Sequence, residues 1–207
     1  LLINNAGVVN TEYSETIDGI ENTFAVNHLG YFLFTNLLLD LVKKESESRI
    51  INVSSAAHHF VKGMQWDDIN YKDDFKMGLK AYGQSKLGNI LFTKQLAKKL
   101  QKDAVTVNAI HPGGVNTSLG NQNNSLLGRV LKIILKPFFR SPLKGANTII
   151  YLAEIDGLSI TGAYWVDGRV AKTSHYSKNE AEAEKLWRLS EKPVSYTHLR
   201  AHETTLD

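Results

Sequence analysis

Three short apolar runs, Leu1–Asn5, Arg49–Ser54 and Val105–Ile110, alternate with long segments whose apolar residues recur every three or four positions. A brief apolar, β-branched run bounded by turn formers suits a strand buried on both faces. The segments between suit helices with one apolar side. Ile20, Phe24, Leu29, Phe32, Leu33, Leu37, Leu38 and Leu41 follow that spacing, with Asp18 as the expected N-cap of a helix reaching Lys44. Leu79–Gln101 is a second such helix, and Ala57–Lys76 between them reads as polar loop. Strand and helix in alternation predict parallel βαβ units. The expected fold class is therefore α/β: a doubly wound, Rossmann-like parallel sheet with helices on both faces.

The remainder continues the pattern. Asn116–Asn124 is an Asn-rich loop and Ser125–Lys136 an amphipathic helix stopped by Pro137. Pro142–Glu154 is a helix with Pro at its first position and Ser141 as N-cap. Ala163–Val166 is a fourth strand turned by Asp167-Gly168, and Asn179–Lys192 is a closing charged helix. Around the amphipathic helix, Arg129, Lys132, Lys136 and Arg140 form a basic stripe beside Leu127, Val130, Leu131, Ile134, Leu135 and Phe138. Three readings of it stand, in this order: packing on the core, a lid over an apolar substrate, and contact with an anionic membrane surface.

Bulk properties exclude several classes. The 207 residues suit one domain, and 24 basic against 21 acidic side chains leave a net charge of +3, too slight to argue for nucleic acid. With no cysteine there is no disulfide framework and no Cys-based metal site. No run approaches the roughly 20 apolar residues of a membrane span, and no secretory signal is visible. His198 and His202 stand at i, i+4 without a third ligand, so no metal is expected; His28, His58, His59 and His111 read as packing or surface.

The chemistry concentrates in a few residues. Tyr82 and Lys86 lie four apart in the second helix, hence on one face. A neighbouring ammonium favours the phenolate, which predicts a Tyr82 pKa below the ordinary value of about 10. A phenol so tuned can exchange a proton with a substrate oxygen. Ser54 and Ser55 follow the second strand, and a serine hydroxyl can hold the same oxygen. Along an extended chain the two serines point to opposite sides. Asn5-Ala6-Gly7, Ser54-Ser55 and Pro112-Gly113 each fall at the carboxyl end of a predicted strand, where open α/β sheets bind ligands.

The runs LLINNAG, FAVNHLGYF, VSSAAHH, AYGQSKLGNILFTKQLAKKL and IHPGGVNT, in that order, resemble the short-chain dehydrogenase/reductase family, and within it the retinol dehydrogenase-like branch. The resemblance covers roughly Leu1 to Lys192. It implies an oxidoreductase that moves a hydride between NADP, or NAD, and an alcohol or carbonyl of an apolar substrate such as a retinoid, steroid or lipid aldehyde. It implies Tyr82 as general acid or base, Lys86 as its partner and a ligand of the nicotinamide ribose, Ser55 as the substrate-binding serine, and Asn27 as holder of a water that links Lys86 to solvent. Cofactor contacts would come from Asn5, Ala6, Gly7, Tyr82, Lys86, Pro112, Gly113, Val115 and Thr117. It also implies an intracellular, endoplasmic-reticulum-associated setting, and leaves peripheral membrane contact and homo-oligomerisation open.

The family's Gly-rich TG-x-x-x-G-x-G loop does not occur in the sequence. The expectation is a chain that begins after that N-terminal βαβ portion, residues 1–192 being the C-terminal part of one Rossmann-like domain and 193–207 a non-native tail that breaks from the preceding helix. Such a chain would present its first strand as an open apolar edge and bind cofactor poorly on its own. The rival readings are a non-catalytic nucleotide sensor of the same fold and an inert truncated fragment.

Overall fold

The computed structural model describes residues 1–113 and 142–203. Five strands form one sheet: β1 (Leu2–Asn4), β2 (Ser48–Val53), β3 (Val105–His111), β4 (Tyr164–Val166) and β5 (Arg169–Val170). They lie in the order β1-β2-β3-β4-β5, the first four parallel and β5 antiparallel to β4. Among the described residues, four helices cover the sheet: α1 (Asn22–Lys44), α2 (Leu79–Lys99), α3 (Pro142–Glu154) and α4 (Glu180–Glu203).

Alternation along the strands assigns each helix a face. Leu2, Ile50 and Val107 point to α1, α2 and α4, where they meet Tyr31, Phe32, Phe92, Leu96 and Trp187. Ile51, Val53 and Ile110 point the other way, to Ile149 and Leu152 of α3 and to Trp165. Each fully buried side chain of this kind stabilises the fold by about 1.5–3 kcal/mol. The first face also carries a buried polar chain. Asn4 Nδ2 donates to Asn52 Oδ1 and Thr35 Oγ1, both at 2.8 Å; Asn52 Nδ2 donates to Thr93 Oγ1 at 2.9 Å, and Thr93 Oγ1 to Asn89 O at 2.7 Å. Asn4 and Asn52 are register partners on β1 and β2, so the chain pins the strands to each other and to both helices.

Several local expectations change. The cap of α1 is Glu21, not Asp18: the Glu21 carboxylate accepts from Thr23 N and Phe24 N, each at 2.7 Å. Asp18 lies in a turn closed by Gly19 N to Thr16 O at 3.0 Å. Within α1, Ala25–Leu29 is a widened π turn centred on Asn27. The polar loop after β2 opens with a 3₁₀ turn, Ala56–Phe60, capped by Ser55. Asp167 and Gly168 have φ of 51° and 70°. Two successive positive values make the turn that joins twisted antiparallel strands, hence the short β5. Helix α4 continues to Glu203, through Pro193, rather than stopping at Lys192. Its start is as expected: Asn179 Oδ1 accepts from Ala181 N and Glu182 N.

By length and composition alone α1, at 23 residues, could cross a membrane, which the sequence reading did not foresee. Its Tyr31, Phe32 and Thr35 are nevertheless built into the sheet core. β1 is an edge strand, with Leu1 66% and Ile3 38% exposed, and Phe34, Leu37 and Leu41 of α1 are exposed as well. Gly114, Val115, Asn116, Thr117, the amphipathic helix Ser125–Lys136 and the Ser141 cap lie outside the described residues.

Candidate active site

Because β1, β2 and β3 are parallel, their following segments, Asn5-Ala6-Gly7, Ser54-Ser55 and Pro112-Gly113, emerge at one edge of the sheet. Asn5 and Ala6 are exposed there, while Gly7 turns inward. Two glycines allow the close approaches that build the site. A Cβ on Gly83 of α2 would lie 2.8 Å from Ala57 O, so only glycine lets α2 sit against the serine turn. A Cβ on Gly7 would lie 3.2 Å from Asn27 Oδ1 and 3.6 Å from Lys86 Nζ. The strand tip is thereby packed directly on both.

The two serines divide as their alternation predicts. Ser54 is buried and its Oγ donates to Lys86 O at 2.8 Å, tying β2 to α2. Ser55 faces the other way, with φ of −162° and ψ of 158°; its Oγ accepts from Ala57 N at 3.1 Å. The Ser55 side chain neighbours the Tyr82 phenol and favours its ionised form.

Lys86 is 3% exposed, and no carboxylate among the described residues pairs with it. Its Nζ donates to Val53 O at 3.1 Å and lies 5.6 Å from the Tyr82 ring centre and 5.9 Å from that of Tyr31. Asn89 Nδ2 donates to the same Val53 O at 3.2 Å. Burial pulls the Lys86 ammonium down from 10.5 to about 8.

Tyr82 corrects the sequence expectation. Burial pushes its phenol above the ordinary value, against the opposing hydrogen bond from Ser55. Sequence spacing brings an ammonium near but says nothing of desolvation, which here acts on both members of the pair. At neutral pH the phenol keeps its proton.

Asn27 sits in the π turn, beneath Gly7. Its Oδ1 accepts from Val8 N at 2.8 Å, and its Nδ2 donates to Val8 O and Ser85 Oγ, both at 3.0 Å. The side-chain amide therefore clasps the segment after β1 to α2. Pro112 and Gly113 follow β3, with Gly113 at φ 83°. Val115 and Thr117 are among the residues not described. Sequence reasoning missed Tyr31 altogether. This phenol is 3% exposed, its OH has no hydrogen-bond partner among the described residues, and burial and Tyr82 both raise its pKa.

Residues 1–168 match a family model described as enoyl-(acyl carrier protein) reductase. The chain belongs to the short-chain dehydrogenase/reductase family. Retinol dehydrogenase 14 of Mus musculus is 43% identical over 196 residues, covering 92% of this chain and 58% of that protein. Retinol dehydrogenase 12 of Homo sapiens is 41% identical over 191 residues, covering 92% and 59%. The chain thus spans well under two thirds of these relatives. Among solved structures of short-chain dehydrogenase/reductase type, an uncharacterized protein of Mycobacterium paratuberculosis superposes with a TM-score of 0.70 at 30% identity, over 94% of this chain and 66% of that one. The NADPH-bound carbonyl reductase from chicken fatty liver gives 0.56 at 20% identity, over 82% and 64%, a likeness of fold.

A nicotinamide cofactor suits the short-chain dehydrogenase/reductase residues present. The buried ammonium of Lys86, without a carboxylate partner among the described residues, the Gly7 surface a Cβ would fill and the exposed Asn5-Ala6 tip offer a donor and a flat approach for a ribose and ring. Among the described residues, no group of three or more His, Cys, Asp or Glu side chains could hold a metal ion.

Proposed function

We propose that the whole protein is an NADP(H)-dependent oxidoreductase that interconverts a carbonyl and an alcohol on an apolar substrate. The observation that carries this reading is the buried Lys86 ammonium, without a carboxylate partner among the described residues and lying beside a Tyr82 phenol that neighbours Ser55. Buried cations without counter-charges are costly to a fold and mark sites of chemistry.

When bound, the nicotinamide supplies the hydride for reduction or accepts it in oxidation. In reduction, Tyr82 gives its proton to the carbonyl oxygen while the Ser55 hydroxyl holds that oxygen in place. The raised phenol pKa suits this direction, because Tyr82 is fully protonated at neutral pH. Lys86 stabilises the resulting phenolate and donates to the nicotinamide ribose. Asn27 keeps Gly7 against Lys86, and Asn5, Ala6, Pro112 and Gly113 line the same edge; Val115 and Thr117 complete the proposed cofactor contacts. In alcohol oxidation Tyr82 must first lose its proton, so that direction gains rate as pH rises. The names of the relatives support an apolar substrate of retinoid type.

The test is hydride transfer by the full-length protein, followed at the nicotinamide absorbance with NADPH and with NADH, on retinal and on long-chain aldehydes. Turnover with NADPH that falls by about 10²–10⁴-fold in Tyr82→Phe, with cofactor affinity retained, supports the reading. Turnover unaltered in Tyr82→Phe would reject it.

A further inference from the structure

His58 lies one 3₁₀ turn beyond Ser55 and has no exposed surface. Its Nδ1 is 2.6 Å from Ser55 O, and its Nε2 is 3.2 Å from Ser174 N. A carbonyl oxygen only accepts and a backbone amide only donates. Nδ1 therefore carries the proton and Nε2 is bare, so the two partners together fix both the neutral state and the tautomer. The ring stands edge-on to Tyr164 of β4 at 5.2 Å and against His59 at 3.9 Å.

We propose that His58 is a positioning residue for Ser55, its neutral ring bridging the serine carbonyl to the Ser174 amide and so setting where the Ser55 hydroxyl meets Tyr82. The inference rests on the roles given above to Ser55 and Tyr82. Ser55 is held at its hydroxyl oxygen by Ala57 N and at its carbonyl by His58, through Nδ1 at 2.6 Å and the backbone N at 3.2 Å, while its side chain neighbours Tyr82. Of these, the carbonyl is the hold outside the reacting groups. Removing the ring leaves the carbonyl with the longer bond from His58 N at 3.2 Å, so the Ser55 peptide plane is held less tightly, and the hydroxyl with it. Ser174 precedes the turn His175–Lys178 that leads into α4, so the same ring couples the C-terminal segment to the serine.

Protonation breaks the bridge, because Nε2–H and Ser174 N–H would face each other as two donors. The titratable groups facing the ring are His59 on its own turn, His111 at the end of β3 and Tyr164 on β4. Burial is the main cause that lowers the His58 pKa from 6.5 to about 4, opposed by the bond to Ser55 O and aided by the two histidines. The sign follows: the neutral ring is the native form, so the bridge is complete above about 6.5 and is lost as pH falls through about 4.

The direct test is NMR of the chain labelled with ¹⁵N in its histidine rings, with His58→Phe identifying the signal. The expected result is an Nδ1–H, Nε2-bare ring that does not titrate between about pH 5.5 and 8. An Nε2–H tautomer, or a midpoint near 6.5, overturns the His58 bridge while leaving the reading of Ser55 and Tyr82 standing. The second test is kinetic, in the full-length protein. His58→Phe keeps a ring but neither hydrogen bond, and should lower kcat by about 10- to 100-fold with cofactor KM nearly unchanged. His58→Asn places an amide donor where Nδ1–H was and should restore most of that loss. Equal loss in both variants, in step with a fall in Tm, would make His58 merely structural and reject the proposal. If Ser55→Ala leaves turnover unchanged, the underlying site reading falls and the proposal with it.

Discussion

Two buried polar clusters lie on the same face of the sheet, and they differ in whether their hydrogen bonds close. In mid-sheet, Asn4, Thr35, Asn52 and Thr93 are each at most 4% exposed and bond to one another across β1, β2, α1 and α2. At the strand tips, Lys86 is as deeply buried, yet among the described residues it donates to a single carbonyl, that of Val53, and the nearby Tyr31 OH has no partner. A closed network stabilises and registers a sheet. An open one costs stability and is retained where something else must bind. Burial alone does not separate the two clusters; the unfilled bonds do.

The comparison is sharpened first by the largest effect. Tyr82→Phe should lower turnover by about 10²–10⁴-fold while its denaturant midpoint stays at the wild-type value; a midpoint that dropped with the activity would merge the two regions. Asn52→Ala should do the reverse. It removes one of the two acceptors of Asn4 Nδ2 and the donor to Thr93 Oγ1, and should cost about 1–3 kcal/mol in equilibrium unfolding. Turnover per folded molecule should stay within about twofold, since additive behaviour is expected for sites that share no partner. The smallest effect belongs to Gly7→Ala, where the new methyl must displace Asn27 Oδ1 from 3.2 Å. A stability loss of about 1 kcal/mol and a several-fold weaker cofactor affinity by titration calorimetry are expected, placing Gly7 between the clusters.

Much of this was legible in the sequence, for identifiable reasons. The strands β1, β2 and β3 and the helix α2 follow directly from apolar periodicity, and strand alternation sends Ser54 to the α2 backbone and Ser55 to the opposite side. What escaped depends on tertiary contact. The π turn at Asn27 is stabilised by bonds to Val8 and Ser85, 19 and 58 residues away in sequence, so no local pattern announces it. Glu21 caps α1 because its long side chain folds back on Thr23 N and Phe24 N, whereas Asp18, the stronger capping type, is held in a turn by Gly19. The Asp167-Gly168 signal was present, but a two-residue β5 is too short for periodicity to register. The direction of the Tyr82 shift was misjudged because i, i+4 spacing reveals the neighbouring charge and conceals desolvation.

The central claim, that Lys86 is retained for chemistry at the expense of the fold, is tested most directly by thermal unfolding of Lys86→Met against wild type across pH. Lowering from 10.5 to about 8 means that the folded state binds the Lys86 proton less well than the unfolded state. Stability of the wild type should therefore rise between about pH 8 and 10.5 as the penalty of the buried charge disappears. Val53 O keeps Asn89 Nδ2 as a donor in the variant, so no carbonyl is orphaned. The account predicts that Lys86→Met unfolds at a higher temperature than wild type at pH 7, and that the gap narrows as pH approaches 10.5. A variant less stable than wild type at pH 7, or a gap that does not change with pH, would contradict it.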